Sequence, residues 1–247
     1  MGNSILLLPV APLSKTKSRL RDCFSKEQLK ELTIALFKDL ASILMNVNCF
    51  NEKIVYCSDE EILSLASEYN LIGIKETFAK QKKSFDDVIS ELNNIAIEKF
   101  KAEETILIFL DLILISPENF FEIHSLLKKN QLVICPAIHS AGISILGRNP
   151  PNSIPNFFSD PSTPSFIKTI EMAKKNGLKF AIYDSFRAGF DIDIKHDLLL
   201  AYEYLKIFNL EHKETFIFLK NNLNITLRKL NLKNNREFKI VKRNNES

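Results

Sequence analysis

The chain alternates between short apolar runs and longer stretches in which apolar residues recur every three or four positions. The short runs predict strands and the longer stretches predict helices. Predicted strands cover residues 5–8, 53–57, 71–74, 105–111, 131–135 and 179–183, and another follows the small-residue turn in 140–146. Such alternation is typical of an α/β fold, so we expect a single doubly wound, mostly parallel sheet.

Polar residues mark the predicted helix ends. Ser25 and Gln28 form a capping-box pattern, and Ser116-Pro117 supplies an N-cap followed by a proline at the first helical position. Gly177 is a plausible left-handed cap for the helix that begins near residue 163. Four prolines in 149–163 exclude a regular helix or an inner strand there, so we expect a loop folded over the functional site.

Length and composition indicate one large domain. The 247 residues, 45% of them apolar, are enough for a sizeable core. We expect a catalytic domain over 1–210 and a helical, basic C-terminal extension over 211–247, with mobile last residues.

Charge and cysteine content exclude several classes of protein. The net charge of +3 is small, with Lys and Arg interspersed among nearly as many acids, so nucleic acid is not an expected partner. The four cysteines form no Cys-x-x-Cys pair, which favours reduced, buried thiols in a cytoplasmic protein. The central apolar run is too short to span a bilayer, and we expect no membrane partner.

An acid ends the central predicted strand. Asp111 follows an Ile/Leu/Phe run, and open parallel sheets bind ligands beyond the carboxyl ends of their strands. Asp111 is therefore a candidate ligand of a divalent metal. The alternative is a strand-end acid that caps the next helix.

Two further acids occur in Asp191-Ile192-Asp193. In an extended segment both carboxylates point to the same side, where bound Mg²⁺ or Mn²⁺ would offset their repulsion. The alternative is that Asp193 is exposed, or that Asp197 only caps the following helix.

A basic loop follows the first predicted strand. Lys15, Lys17 and Arg19 lie between that strand and a helix, an arrangement typical of phosphate binding. The loop contains no glycine and so is not a Walker loop. The alternative is a solvated charge cluster.

Together these residues resemble the CofC family of guanylyltransferases of coenzyme F-420 biosynthesis, which have a nucleotide-diphospho-sugar transferase-like, Rossmann-like fold. The resemblance covers roughly residues 5 to 205. It rests on Pro9-Val10, Lys17-Ser18-Arg19-Leu20, Leu92-Asn93, Asp111, Gly142, Ser165-Phe166, Asp191-Ile192-Asp193 and Asp197-Leu198.

The resemblance implies a set of site residues. Metal ligands would be Asp111, Asp191 and Asp193, and catalytic residues would be Lys17, Arg19, Asp111 and Asp193. Nucleotide contacts would come from Pro9, Lys17, Arg19 and Asn93, and acceptor contacts from Gly142 and Ser165.

The implied reaction joins GMP from GTP to a small phospho-acid and releases pyrophosphate. Acceptors would be 2-phospho-L-lactate, phosphoenolpyruvate or 3-phosphoglycerate. The cofactor would be Mg²⁺ or Mn²⁺, and a homodimer is left open. An ionised acceptor phosphate needs no enzyme nucleophile, and none of the four histidines lies in a recognisable triad or metal motif.

Some positions depart from the family pattern: Ala11, Ile113, Ile143, Ser144 and Thr169. Ala11 removes a phosphate-facing charge, and Ile143 and Ser144 replace polar groups of a substrate-contacting turn. Two alternatives therefore remain, namely a catalytically degenerate homologue that binds a nucleotide or a partner, and a nucleotidyltransferase with another base and acceptor.

Overall fold

The computed structural model describes residues 2–77, 83–225 and 240–242. The strands are β1 (Ser4–Pro9), β2 (Glu52–Cys57), β3 (Ile72–Lys75), β4 (Glu104–Ile108), β5 (Leu132–Pro136), β6 (Ile143–Arg148), β7 (Phe180–Ile182), β8 (Leu223–Ile225) and β9 (Ile240–Lys242). The helices are α1 (Lys26–Met45), α2 (Glu60–Glu68), α3 (Phe85–Phe100), α4 (Pro117–Leu127), α5 (Ser165–Lys175), α6 (Phe186–Gly189), α7 (Lys195–Ile207) and α8 (Glu214–Asn222). A 3₁₀ helix covers Ser18–Leu20.

Seven strands form one sheet in the order β3-β2-β1-β4-β6-β5-β7. Strand β6 runs antiparallel to both of its neighbours, β4 and β5, and every other pairing in this sheet is parallel. The predicted fold class, an α/β protein with a mostly parallel sheet, is confirmed.

The contacts divide the chain into two compact units. The first unit consists of Met1–Pro12 and Leu40–Asp191 and contains the whole seven-stranded sheet. The second consists of Leu13–Asp39 and Ile192–Ser247. Helix α1 begins in the second unit and ends in the first.

Inside the second unit, helix α8 contacts residues that lie much earlier in the sequence. The carboxylate of Asp39 accepts hydrogen bonds from the backbone N–H groups of Glu214 and Thr215, both at 2.9 Å. The rings of Phe24 and Phe218 pack 5.3 Å apart. A separate extension over 211–247 stays a prediction, and most of the basic end from residue 231 onward lies outside the described residues.

The core of the sheet unit lies between the central strands and α3. Ile5 and Leu7 of β1 and Leu107 of β4 pack into one cluster with Leu92 and Ala96 of α3. Each of these side chains is fully buried, and burial of such a side chain contributes about 1.5–3 kcal/mol for the larger ones. Apolar burial on both faces explains why β1 and β4 have no alternating polar positions.

The central strand is shorter than its sequence predicts. It ends at Ile108, and Asp111 lies in a turn where its carbonyl oxygen accepts a hydrogen bond from the N–H of Ile113 at 3.0 Å. The following apolar residues 112–115 are buried in the turn rather than added to the strand. An apolar run shows burial, and it does not show where the backbone leaves the sheet.

The predicted helix ends are confirmed. Gln28 donates its backbone N–H to the Ser25 hydroxyl, and Gln28 accepts in return from the N–H of Ser25. Gly177 takes a left-handed conformation with φ of 64° after α5. Among the described residues, no helix combines the length and the apolar character that crossing a membrane requires.

Candidate functional site

The basic loop of the second unit is a tight turn. Lys17 has a left-handed backbone, with φ of 43°, and its carbonyl oxygen accepts a hydrogen bond from the N–H of Leu20 at 2.9 Å. The two cationic side chains of this turn, Lys17 and Arg19, differ in their exposure to solvent. The Lys17 side chain is 10% exposed, whereas that of Arg19 is 71% exposed.

Both cations contact the predicted Asp-Ile-Asp segment. Lys17 Nζ donates to the carbonyl oxygen of Ile192 at 2.5 Å and lies 3.8 Å from Asp193 Oδ1. Arg19 Nη1 donates to Asp193 Oδ2 at 2.9 Å. The fold therefore brings together three of the four predicted catalytic residues, Lys17, Arg19 and Asp193. Since Asp193 is about half exposed, such a pair is worth at most about 1 kcal/mol and opens easily.

Asp197 supports this segment from inside. Its carboxylate is buried and accepts from the N–H groups of Asp193 and Ile194, both at 2.8 Å, which caps α7. This contact agrees with the alternative that Asp197 caps the helix, and it does not test the metal roles of Asp191 and Asp193. Ile192 is fully buried while Asp191 and Asp193 remain partly exposed, as the alternating pattern predicts.

In the sheet unit, three predicted residues lie at the end of a strand or later in sequence than a strand end. Pro9 is the last residue of β1 and is buried. Asp111 lies three residues beyond the end of β4 and is partly exposed. Asp191 follows the short helix α6.

Gly189, two residues before Asp191, was not among the predicted site residues. A Cβ atom at Gly189 would lie 2.7 Å from the carbonyl oxygen of Pro136, so only glycine fits there. The Gly189 carbonyl oxygen also accepts from the N–H of Ile138 at 2.8 Å. A glycine two residues before Asp-Ile-Asp was the available signal.

The two predicted acceptor residues lie together. A Cβ atom built on Gly142 would be 2.9 Å from the Ser140 hydroxyl and 4.0 Å from the Ser165 hydroxyl. The Ala141 carbonyl oxygen accepts from the N–H of Phe166 at 3.1 Å, which holds the start of α5 against this turn. Gly142 and Ser165 thus meet across 23 residues of sequence.

Asn93 lies elsewhere in the sheet unit. Its side chain is buried, accepts from the Thr105 hydroxyl at 3.0 Å and donates to Asn152 Oδ1 at 3.0 Å. Thr105 is the second residue of β4, so this amide is close to the amino end of that strand. A nucleotide contact by Asn93 stays a prediction.

The acids suit Mg²⁺ chemically, but the described residues alone do not form a group of three ligands. Over residues 2–77, 83–225 and 240–242, no three His, Cys, Asp or Glu side chains stand close enough together to hold a metal ion. Mg²⁺ prefers oxygen ligands and usually takes one or two carboxylates, with water and substrate phosphates completing its shell. The metal roles of Asp111, Asp191 and Asp193 stay predictions.

Three of the four cysteines, Cys49, Cys57 and Cys135, have a raised pKa, which makes them poor nucleophiles. All four are free thiols. Burial raises the pKa of Cys135 and of Cys57 to about 11, so both remain neutral at physiological pH.

Three departures from the family pattern occupy packing positions. Ile143, Ser144 and Thr169 are each at most 5% exposed, and the Ser144 hydroxyl donates to the carbonyl oxygen of Cys135 at 3.1 Å. Ala11, by contrast, is exposed.

Comparisons with known proteins identify the family of this chain. A family model described as "Guanylyl transferase CofC like" matches residues 4–234. A 2-phospho-L-lactate guanylyltransferase of Methanocaldococcus vulcanius is 31% identical over 195 residues, which are 78% of this chain and 82% of that protein. A phosphoenolpyruvate guanylyltransferase of Thermobaculum terrenum is 26% identical over 80% and 82% of the two chains.

The fold has solved counterparts. A candidate nucleotide-diphospho-sugar transferase of Desulfovibrio desulfuricans G20 superposes with a TM-score of 0.72 at 15% identity, covering 90% of this chain and 95% of that one. That likeness supports the fold, and the family match supports the enzyme class. The chain belongs to the CofC-like guanylyl transferase family, which confirms the nucleotidyltransferase predicted from its sequence.

Proposed function

We propose that this protein transfers GMP from GTP to a small phospho-acid, 2-phospho-L-lactate or phosphoenolpyruvate, with release of pyrophosphate, in coenzyme F-420 biosynthesis. The names of its relatives support these two acceptors over 3-phosphoglycerate. The observation that carries the proposal is the cluster of Lys17, Arg19 and Asp193, because the transfer of a nucleotidyl group needs cations that reach phosphates.

The chemistry requires alignment and charge neutralisation. An oxygen of the acceptor phosphate attacks the α-phosphorus of GTP, and the bond from the α-phosphorus to the bridging oxygen breaks, so that pyrophosphate leaves with the electron pair. The attacking oxygen is already ionised at neutral pH, so no side chain needs to remove a proton. Negative charge grows on the leaving pyrophosphate, where a lysine or an arginine stabilises it.

The basic turn has one fixed and one movable cation. Lys17 is held by the Ile192 carbonyl oxygen and is mostly buried, which suits a preset phosphate contact. Arg19 is exposed, and its partner among the described residues is the half-exposed carboxylate of Asp193, so a triphosphate can compete for it. In this proposal Asp193 keeps Arg19 in position until the nucleotide binds.

The carboxylates of Asp111, Asp191 and Asp193 would hold Mg²⁺. When bound, the ion would neutralise charge on the nucleotide phosphates. Asp111 and Asp191 are both partly exposed residues.

The acceptor would be bound at the turn that contains Gly142. Ser165 is the first residue of α5, where the helix dipole favours an anion, and its hydroxyl can donate to a carboxylate or phosphate. Gly142 would allow the acceptor to approach the backbone closely, because a larger residue at this position would crowd the Ser140 hydroxyl.

The experiment is a pyrophosphate-release assay in which each of the four nucleoside triphosphates is paired with 2-phospho-L-lactate, phosphoenolpyruvate and 3-phosphoglycerate. We expect release with GTP and one of the first two acceptors. Release with another nucleotide would indicate a different base, and GTP binding without release in any pair would indicate a binding protein.

Matched variants of the basic turn test the role of its cations. Arg19→Ala should lower turnover about tenfold or more, equivalent to roughly 1.4 kcal/mol of barrier. Arg21→Ala, an exposed arginine two residues further along, is the control and should retain activity. Equal activity of both variants would refute the role of Arg19.

A further inference from the structure

A cavity of about 290 Å³ opens between α3 and the loop after β6. Its lining includes Ser90, Asn94, Arg148, Asn152, Ile154 and Asn156. Arg148 pairs in the sheet with Thr105 and with Leu132, which are early residues of the parallel strands β4 and β5. The cavity therefore lies at the amino edge of the sheet, away from the carboxyl edge that Asp111 follows.

Hydrogen bonds fix the cavity walls. Asn156 Nδ2 donates to the Ser90 hydroxyl at 2.9 Å, and Asp86 Oδ1 accepts from the N–H of Phe158 at 2.8 Å. These bonds tie the loop 149–163 to α3. The loop has neither helix nor strand, as its prolines predict, and the described contacts place it against α3. The shape of the cavity is thus set before any ligand enters.

Arg148 lines the cavity and has an incompletely paired guanidinium. Its Nη2 donates to Asn156 Oδ1 at 3.0 Å, and its Nε has no hydrogen-bond partner. The residue is 2% exposed, and burial lowers its pKa to about 10, which leaves it protonated at neutral pH. None of the described residues pairs a carboxylate with it within 4.0 Å.

A buried cation without a counter-ion is costly, and a single neutral amide offsets little of that cost. We propose that this cavity is a binding site for a small oxyanion, a phosphate or a carboxylate, which takes the free Nε donor of Arg148. Guanidinium groups bind both anions with the same planar geometry. The described lining residues carry no negative charge to oppose an anion.

The size of the cavity limits the ligand. Its volume lies near the lower end of the usual range for ligand pockets, about 300–1,000 Å³, which suits inorganic phosphate or a small carboxylate. The cavity lies at the amino edge of the sheet, so this proposal does not rest on the proposed guanylyl transfer, although Asn93, predicted above to contact the nucleotide, also lines the cavity.

The test is NMR of the full chain labelled with ¹⁵N, following the Arg148 Nε–H signal while inorganic phosphate or, in a second arm, acetate is added at constant ionic strength. We expect a saturable shift in at least one arm, and the arm that saturates at lower concentration identifies the anion class. The Arg19→Ala variant should show the same shift, since it lacks only the exposed cation of the basic turn. Absence of a saturable shift in both arms would mean that the cavity holds only water and would overturn the proposal.

Variants provide the second measurement. Arg148→Met keeps an apolar stem and removes the donor, so the anion should raise the melting temperature of the parent protein but not that of the variant. If this variant does not fold, Asn94→Asp, at the exposed rim, should weaken anion binding about tenfold, whereas the neutral control Asn94→Ser should not. Unchanged binding in a folded Arg148→Met, or equal binding in the two Asn94 variants, would contradict the site.

Discussion

The two edges of the sheet differ in how far their polar residues are buried. At the amino edge, Glu104 is 2% exposed and lies 2.6 Å from Lys128 Nζ, and Asn93 is enclosed by Thr105 and Asn152. At the carboxyl edge, Asp111 remains partly exposed in a turn. Buried polar groups need internal partners, whereas groups meant for a ligand must leave part of their hydrogen-bonding capacity accessible.

This difference predicts that the amino edge contributes mainly to stability and the carboxyl edge mainly to activity. Substitution of a buried ion-pair residue such as Glu104 at the amino edge should change the free energy of unfolding and leave turnover intact. Substitutions at the carboxyl edge should do the reverse. The following predictions test this division in order of expected size.

The largest effect is expected at Asp111. Asp111→Asn should reduce turnover about 100-fold or more, roughly 2.7 kcal/mol of barrier, with little change in melting temperature, because the partly exposed acid contributes to ligand binding rather than packing. Steady-state kinetics at saturating Mg²⁺ measure it. The control is Asp184→Asn, an exposed acid just after β7 at the same edge, which should stay active. Near-parental turnover of the Asp111 variant would end its assignment as a metal ligand.

The next effect concerns stability at Glu104. Glu104→Gln should lower the free energy of unfolding by about 1–3 kcal/mol, because Lys128 loses its counter-ion. The loss should not be larger, because Lys128 is exposed enough to be hydrated in the variant. Urea unfolding measures this change, with the exposed neighbour Glu103→Gln as control. Turnover should be unaffected, and a large loss of turnover with normal stability would break the division between the edges.

A smaller effect is expected at the acceptor turn. Ser165→Ala should raise the KM for the phospho-acid about tenfold, near 1.4 kcal/mol, and change the KM for GTP little, since the hydroxyl is proposed to bind the acceptor alone. Initial rates at varied acceptor concentration measure it. Ser64→Ala on the exposed side of α2 is the control. A rise in the KM for GTP alone would move Ser165 to the nucleotide.

The smallest effect is a pH dependence at the amino edge. Burial lowers the pKa of His124, although Glu104 opposes this shift. Its Nε2 is 3.0 Å from Glu104 Oε1 but lacks the geometry of a hydrogen bond. Because the unfolded chain binds the proton more readily, the stabilising contribution should be present above the unfolded pKa of about 6.5 and decline as the pH falls through the folded value.

Urea unfolding at pH 7 and pH 5 checks this sign. The parent should lose more stability between the two values than His124→Gln, which lacks the titrating group. An identical loss in both proteins would contradict the role of His124.

Much of the fold follows from local pattern. The helix caps at Ser25 and Ser116 and the left-handed Gly177 depend on neighbours in sequence, so they are predictable. The antiparallel direction of β6 was not predicted, because an apolar run reads the same in either direction. The end of β4 before Asp111 was also missed, for the buried turn after it is as apolar as the strand.

The candidate site, like the fold, could be predicted from the sequence only in part. The meeting of Lys17 and Arg19 with Asp193 could be anticipated from charge and from the family resemblance. Gly189 and Arg148 were missed because their roles depend on contacts distant in sequence. A glycine that faces a carbonyl oxygen and an arginine enclosed by amides are visible only once the chain has folded.

The central claim is that this chain forms a new phosphoanhydride between GMP and a phospho-acid. The most direct measurement is ³¹P NMR of GTP, Mg²⁺ and 2-phospho-L-lactate or phosphoenolpyruvate incubated with the protein. The account predicts two mutually coupled signals of a diphosphate-linked product that grow in equal amount with pyrophosphate. GTP left intact with both acceptors, or GMP and pyrophosphate formed without a coupled product, would contradict it.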